Sequence, residues 1–437
     1  MTDASRPASQ AQPDTPAAPV PPTAAPAPGA PVPAPAPAVP PLALVEYGLW
    51  VAWLLSLASV IAQGLGRFAY SLLLPSMRDD LSWTYAVAGS MNTSNSVGYL
   101  GGALVAARLG RGDRCKPVLV AAMGLTVVSI GACAFTSSVP VLLTLRFITG
   151  FGGAVAFVLA AGLVATLSKR SEPKRASIML GIYFAGGGGL GILAVGLLLP
   201  VTVPDPSQWR RAWVVLAIAG LACMLATLPA LRVAHPAPPH PQGDKDFPKR
   251  AIQKLQLAYL LFGAGYIAYI TFIVALLRAG GASSGTVTLF WCILGACTIS
   301  AAFVWGPMLG RLDHAYGMAL LMLISALGAI LPVLSRSTAA AIGSGVLFGG
   351  TFVSVITAVT VSARASLPSR YWTAAIGTLT VTFSVGQSIG PLLTGMLADT
   401  EGGLRFGLTL SAALLVLGAG AAMFHRNPDV RHDAPQA

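Results

Sequence analysis

Along most of this chain the apolar residues follow neither the alternation of a half-buried strand nor the one-sided stripe of a soluble helix. They come in blocks. A helix needs roughly 20 apolar residues to cross a bilayer, and from Glu46 onward such blocks alternate with short polar breaks. The pattern predicts spans near 48–75, 84–107, 117–137, 140–168, 177–200, 212–231, 253–277, 285–308, 316–334, 338–363, 372–397 and 404–424. The fold class is therefore an all-α membrane protein of twelve transmembrane helices. The longest internal break, 232–252, is rich in Pro, His and charge and divides the spans six and six. This predicts a first six-helix bundle over 44–231, a cytoplasmic linker over 232–252, a second bundle over 253–425 and a tail over 426–437. Ahead of them, residues 1–43 form a Pro/Ala-rich stretch, with 14 of the chain's 33 prolines inside 1–41. It lacks the basic and apolar regions of a signal peptide and is expected to be an extended, disordered cytoplasmic tail.

The two sets of six spans resemble each other. Gly66-Arg67-Phe68-Ala69-Tyr70 in span 1 matches Gly265-Tyr266-Ile267-Ala268-Tyr269 in span 7 at an offset of 199. Gly187, Leu190, Gly191, Leu193 and Gly196 in span 5 match Gly386, Ile389, Gly390, Leu392 and Gly395 in span 11 at the same offset. Phe151-Gly152-Gly153 in span 4 matches Phe348-Gly349-Gly350 in span 10 at 197. An offset of 199 in two pairs of spans and of 197 in a third reads as a duplicated unit. Parallel repeats of this kind place a substrate site near the bilayer midplane, between the halves.

Composition agrees: 55% of residues are apolar and 10% charged, against roughly 25% charged in a soluble domain. The net charge of +12 does not point to nucleic acid, because the basic residues sit in short loops without aromatic stacking motifs. Lys and Arg concentrate after even-numbered spans, as in Arg108, Arg111, Arg114 and Lys116 or Lys169, Arg170, Lys174 and Arg175. The positive-inside rule then puts both termini in the cytoplasm. Cys115, Cys133, Cys223, Cys292 and Cys297 show neither metal-binding nor disulfide spacing and read as small packing residues. No metal and no cofactor are expected.

Two arginines, Arg67 and Arg146, fall deep in apolar spans. A charge there costs roughly 2.5–3.5 kcal/mol on insertion scales and calls for a partner or a role. All fifteen acids fall in tails, loops or span ends, so neither arginine has an evident carboxylate partner. A guanidinium matches a carboxylate or phosphate through two parallel hydrogen bonds. An electropositive cavity and an organic anion as substrate follow. Gln63, Arg67 and Tyr70 share one α-helical stripe, and Tyr266 and Tyr269 occupy the equivalent stripe in the other half. Asn92, Asn95 and Gln387 complete the candidate binding set, since buried amides are harder to satisfy within one helix than hydroxyls. Arg146 has a second reading, bonded to neighbouring carbonyls as a structural residue, and the tyrosines a second reading as packing residues.

Span 4 reads Leu145-Arg146-Phe147-Ile148-Thr149-Gly150-Phe151-Gly152-Gly153-Ala154, and the loop after span 2 reads Arg108-Leu109-Gly110-Arg111. Both resemble motifs of the major facilitator superfamily, over nearly all of 45–425. Gly66-Arg-Phe-Ala-Tyr70, Gly265-Tyr-Ile-Ala-Tyr-Ile-Thr-Phe272 and Gly386-Gln-Ser-Ile-Gly-Pro391 are most similar to its YbfB/YjiJ branch. The resemblance implies two pseudo-symmetric bundles, a rocker-switch cycle and a monomer in the bacterial inner membrane. It assigns Arg108, Gly110, Arg111, Gly150, Gly187, Gly191, Arg311, Gly386, Gly390 and Pro391 to gating and conformational change. The acid that normally precedes the first loop arginine is Ala107 here, and Ile192 stands where a drug-antiporter motif has proline.

The reading is thus a non-enzymatic secondary transporter of a small molecule, with an organic anion expected. Proton coupling stays open, because no buried carboxylate or His is evident. The alternatives are efflux of neutral or hydrophobic compounds and a non-transporting sensor of the same fold. An intramembrane enzyme would need zinc ligands, paired aspartates or a Ser/His pair at membrane depth, and the spans hold none.

Overall fold

The bilayer core offers a backbone no water, so a crossing segment must pair its own amides, and a helix does so. The computed structural model describes residues 41–425 apart from 170, 206, 237–246 and 310–313. The tail expected over 426–437, most of the tail expected over 1–43, the middle of the linker and the gating candidate Arg311 therefore lie outside the described residues.

Within them the chain forms twelve spans. Span 1 comprises Pro41–Ser59, a π-helical Val60–Phe68 and Tyr70–Asp80. Span 2 is Tyr85–Leu109, span 3 Cys115–Ala132 and span 4 Val139–Ser168. Span 5 comprises Pro173–Ala185, a π-helical Gly186–Leu190 and Gly191–Thr202, and span 6 is Trp209–Val233. In the second half, span 7 is Gln253–Ala279, span 8 Ser284–Leu309 and span 9 His314–Leu334. Span 10 is Thr338–Gly349 and Phe352–Ser366, span 11 Trp372–Ala398 and span 12 Gly403–Met423. Span 1 is longer than its apolar block, starting inside the stretch expected to be tail. Eleven of these helices are long and apolar enough to cross a membrane by length and composition among the described residues. Span 2 is the exception. The polar run Asn92-Thr93-Ser94-Asn95-Ser96 lies in its middle, and most of it is turned toward protein.

Small residues bring the helices of each half together. A Cβ on Gly150 of span 4 would strike the Asn95 carbonyl of span 2, and one on Gly390 of span 11 would strike the Ala264 carbonyl of span 7. Where backbone hydrogen bonding is interrupted, a side chain takes over. Span 10 breaks at Gly350 and Thr351, and the Trp305 indole of span 8 donates to the Gly350 carbonyl at 2.6 Å.

The two halves meet along spans 2 and 11 and along spans 5 and 8. Four hydrogen bonds tie span 2 to the second half. Asp399, at the end of span 11, accepts from the backbone N–H groups of Tyr85 and Ala86 at 2.7 and 2.9 Å. Asn92 donates to Thr271 of span 7 at 2.6 Å, and Thr93 donates to the Ser388 carbonyl of span 11 at 2.7 Å. The Asp399 bonds suit the partial positive charge of a helix N-terminus. All four lie in the half of span 2 nearest the 1–2 and 11–12 loops, at the end of the molecule opposite the helix ends that lead to the chain termini. There the seam is tight enough that a Cβ on Gly89 or Gly395 would strike the facing backbone.

Candidate functional site

Arg67 sits in the π-helical segment of span 1 with 1% of its surface exposed. Its Nη2 donates to Ser96 Oγ of span 2 at 2.8 Å, and its guanidinium lies 5.1 Å from the centre of the Tyr99 ring. Its Nε has no hydrogen-bond partner. A guanidinium carries five N–H donors, so one neutral hydroxyl leaves it far from satisfied. Gln63, also in the π segment, donates to the Tyr99 hydroxyl at 3.1 Å and keeps an unpartnered Oε1. Across the seam Tyr266 of span 7 lies within Coulombic reach of Arg67. Gln387 of span 11 donates to the Tyr266 hydroxyl and likewise keeps a free Oε1. Phe68, next to Arg67, meets Phe352 of span 10 edge-on at 6.4 Å. Arg67, Tyr266 and Gln387, all buried, and the half-buried Gln63 and Tyr99 thus form one group where spans 1, 2, 7 and 11 converge, close to the span-10 break.

Arg146 is equally buried but differently held. Its Nη1 donates to the Gly66 carbonyl at 2.7 Å and its Nη2 reaches Asn92 Oδ1 at 3.4 Å. Its guanidinium lies between the Tyr70 and Trp213 rings, 5.1 and 5.6 Å from their centres. Asn95 donates to the Arg146 carbonyl at 3.2 Å. These partners all belong to the first half, as the structural reading of Arg146 requires. Asn92 alone carries the network outward, through its bond to Thr271. Among the described residues the one ion pair is Arg78–Asp79, so neither buried arginine is neutralised by a carboxylate there.

The tyrosines divide. Tyr70 does not share the Arg67 group: its hydroxyl donates to the Ala88 carbonyl at 2.8 Å, inside the first half. The physical reason is the π-helix, whose wider turns shift every later side chain off the α-helical stripe. Tyr269, its counterpart, bonds Ser344 and packs on Phe348 at 4.1 Å inside the second half. Only Tyr266 of the three faces the seam group.

The gating candidates fall into three classes. Gly187, Gly191, Gly386, Gly390 and Gly150 sit at helix crossings within one half, where a Cβ would meet a neighbouring helix. Pro391 lies on the seam, its carbonyl against Gly89. Arg108 and Arg111 are exposed near the span-2 end, where a Cβ on Gly110 would meet Leu159. The span-10 and span-11 hydroxyls Thr351, Thr378, Thr382 and Ser384 bond back to carbonyls four residues earlier, so each is satisfied within its own helix. Sequence reasoning missed Tyr99, Thr271, Phe352 and Phe383. Tyr99 alone left a local trace, one helical turn beyond Asn95 on a face already marked by amides.

The family model described as uncharacterised MFS-type transporter YbfB matches residues 59–423, nearly the whole helical region. The chain belongs to this family of transporters. As a major facilitator protein it is a multi-pass membrane transporter and not an enzyme. A gallate transporter of Pseudomonas putida is 30% identical over 190 residues, 42% of this chain and 38% of that protein. The class H tetracycline resistance protein of Pasteurella multocida is 30% identical over 129 residues, 28% of this chain and 32% of that protein. The chain thus matches about a third of the length of each of these curated relatives. Among solved structures, a bacterial homologue of the human lysosomal transporter Spinster, inward-facing and occupied, superposes with a TM-score of 0.64 at 18% identity. That match covers 87% of this chain and 96% of the other. The nucleoside transporter NupG gives 0.61 at 13% identity, over 86% and 96%. These two show the shared fold.

Proposed function

We propose that this transporter carries a small organic anion across the bacterial inner membrane by alternating access, working as a monomer, with Arg67 as the cationic anchor. One observation carries the reading: a fully buried guanidinium at the seam between the halves with a single side-chain hydrogen bond, to a neutral hydroxyl, and an unpartnered Nε. A visiting carboxylate would supply the charge and the paired acceptors that the group lacks. The curated relative named as a gallate transporter supports this, gallate being a carboxylate. With the termini on the cytoplasmic side, as the loop arginines and lysines favour, the end sealed by Asp399, Thr93 and Asn92 is the outer one. Rocking about the seam would then expose Arg67, buried in the described state, to each side in turn. Any proton coupling would run through the substrate's own acid group or an edge acid such as Asp399.

The test is counterflow in liposomes loaded with a panel of small carboxylates. The wild type is expected to exchange at least one of them saturably, and Arg67→Gln to reduce that exchange to the level of empty liposomes while eluting as a folded monomer. A folded Arg67→Gln that exchanges at the wild-type rate rejects the anchor. Saturable export of a neutral compound by both proteins would instead favour efflux of hydrophobic molecules.

A further inference from the structure

The wall opposite Arg67 is made of rings lying in nearly one orientation. Tyr259, Phe262 and Tyr266 recur on one face of span 7 at three- and four-residue steps. Phe383 of span 11 lies against all three, at 4.4, 6.0 and 5.6 Å between centres and within 15° of parallel. The row continues from Tyr266 to Phe352 of span 10 at 5.9 Å and 17°, and on to Phe348 at 5.3 Å and 22°. Aromatic pairs are as content edge-on as stacked, so a series of parallel planes across three helices is a shaped surface. Its middle, Tyr266 and Phe352, is tied to the Arg67 group, since Gln387 donates to the Tyr266 hydroxyl and Phe352 meets Phe68, the residue after Arg67, edge-on. Tyr266 lies within Coulombic reach of Arg67. Flanking that point are two buried amide oxygens, Gln63 Oε1 and Gln387 Oε1, neither with a donor.

Resting on the organic-anion reading, we propose that the substrate is an aromatic carboxylate bearing ring hydroxyls. The carboxylate pairs with Arg67, where a charge-assisted bond is strongest because the group is desolvated. The ring joins the row at Tyr266, Phe352 and Phe383. A hydroxyl on the ring donates to Gln63 or Gln387, each of which offers an acceptor that burial makes costly to leave unpaired. The three demands are geometrically separate, so each leaves its own mark on selectivity. An aliphatic ring of the same size and charge meets only the first. Benzoate meets the first two.

The experiment is a binding titration of the purified full chain in detergent with 3,4-dihydroxybenzoate, benzoate and cyclohexanecarboxylate, followed by calorimetry. The expected order is dihydroxybenzoate, then benzoate, then cyclohexanecarboxylate, with about tenfold between the first and last. Phe352→Leu and Phe383→Leu, each checked for monodispersity, should shrink the gap between benzoate and cyclohexanecarboxylate without abolishing binding of either. Gln63→Leu and Gln387→Leu are each titrated with both ligands, and at least one should narrow the gap between dihydroxybenzoate and benzoate; a gap that survives both would overturn the hydroxyl assignment. Equal affinity for benzoate and cyclohexanecarboxylate in the wild type would overturn the aromatic assignment and leave the anion reading standing. Binding of none of the three, with an aliphatic dicarboxylate such as succinate bound through Arg67, would do the same. Carboxylate binding that survives Arg67→Gln undiminished would overturn the anion reading itself.

Discussion

Arg67 and Arg146 are the same residue at the same burial, on two helices packed against each other, yet their surroundings differ. Arg146 is wrapped by its own half: a carbonyl of span 1, an amide of span 2 and two aromatic faces. Arg67 has one hydroxyl from its own half and faces the seam, where the other half offers a tyrosine and an amide but no carboxylate. Depth in the membrane is therefore a poor guide to a charge's role. What differs between them is how many donors find an acceptor, two nitrogens for Arg146 and one for Arg67, with Nε unpartnered in both, and that Arg67 faces the other half.

Substitutions can break that contrast. The largest effect is expected for Arg67→Gln in transport. Losing a charge-assisted bond is worth about 1.5–3 kcal/mol, roughly tenfold to a hundredfold in substrate affinity, while the melting temperature stays within a few degrees of wild type. Arg146→Gln should do the reverse. It leaves Asn92 Oδ1 without a donor and the Gly66 carbonyl with only a long side-chain bond from Asn95, at a cost of about 1–3 kcal/mol, seen as a clear drop in melting temperature in detergent. If both variants lost stability equally and transport equally, the distinction would fail.

Asp399→Asn addresses the seam. It removes the negative charge from the span-2 N-terminus, a loss of about 0.3–1 kcal/mol. Spin labels in the 1–2 and 11–12 loops should then report a larger share of long distances. The smallest effect is expected for Tyr70→Phe, which loses one bond to the Ala88 carbonyl, about 1 kcal/mol of stability. Substrate affinity should be unchanged, because Tyr70 belongs to the Arg146 side; a tenfold loss of affinity there would place it with Arg67 after all.

The helical architecture was legible because block length and a repeated offset are properties of the chain read in order. Arg67 was legible for the same reason, as a charge in an apolar block. Tyr70 was grouped with it on the assumption of 3.6 residues per turn, which the π segment of span 1 breaks, and nothing in Val60–Phe68 beyond its glycines announces that; Tyr269 was grouped by its match to Tyr70, and in the uninterrupted α-helix of span 7 it turns instead to Ser344 and Phe348. The parallel rings were not legible either. Phe352 and Phe383 are unremarked residues of ordinary apolar spans, and they acquire meaning only when spans 7, 10 and 11 come together. Span 2 shows the converse case: its polar middle, which lowers its hydropathy, is what it presents to the other helices.

The π-helical stretch of span 1 accommodates its residues in a wider coil than the α-helix on either side, and it crosses span 5 just past that span's own π-helical stretch, where Gly64 meets Gly191. Aim and length are thereby coupled in this helix. Removing one residue ahead of Arg67 would let the coil tighten and swing the guanidinium by about 100°, away from the rings it faces, with the composition of the span almost untouched. With Arg67 as the proposed anchor, a single-codon deletion in that stretch is expected to re-aim the guanidinium more drastically than most substitutions.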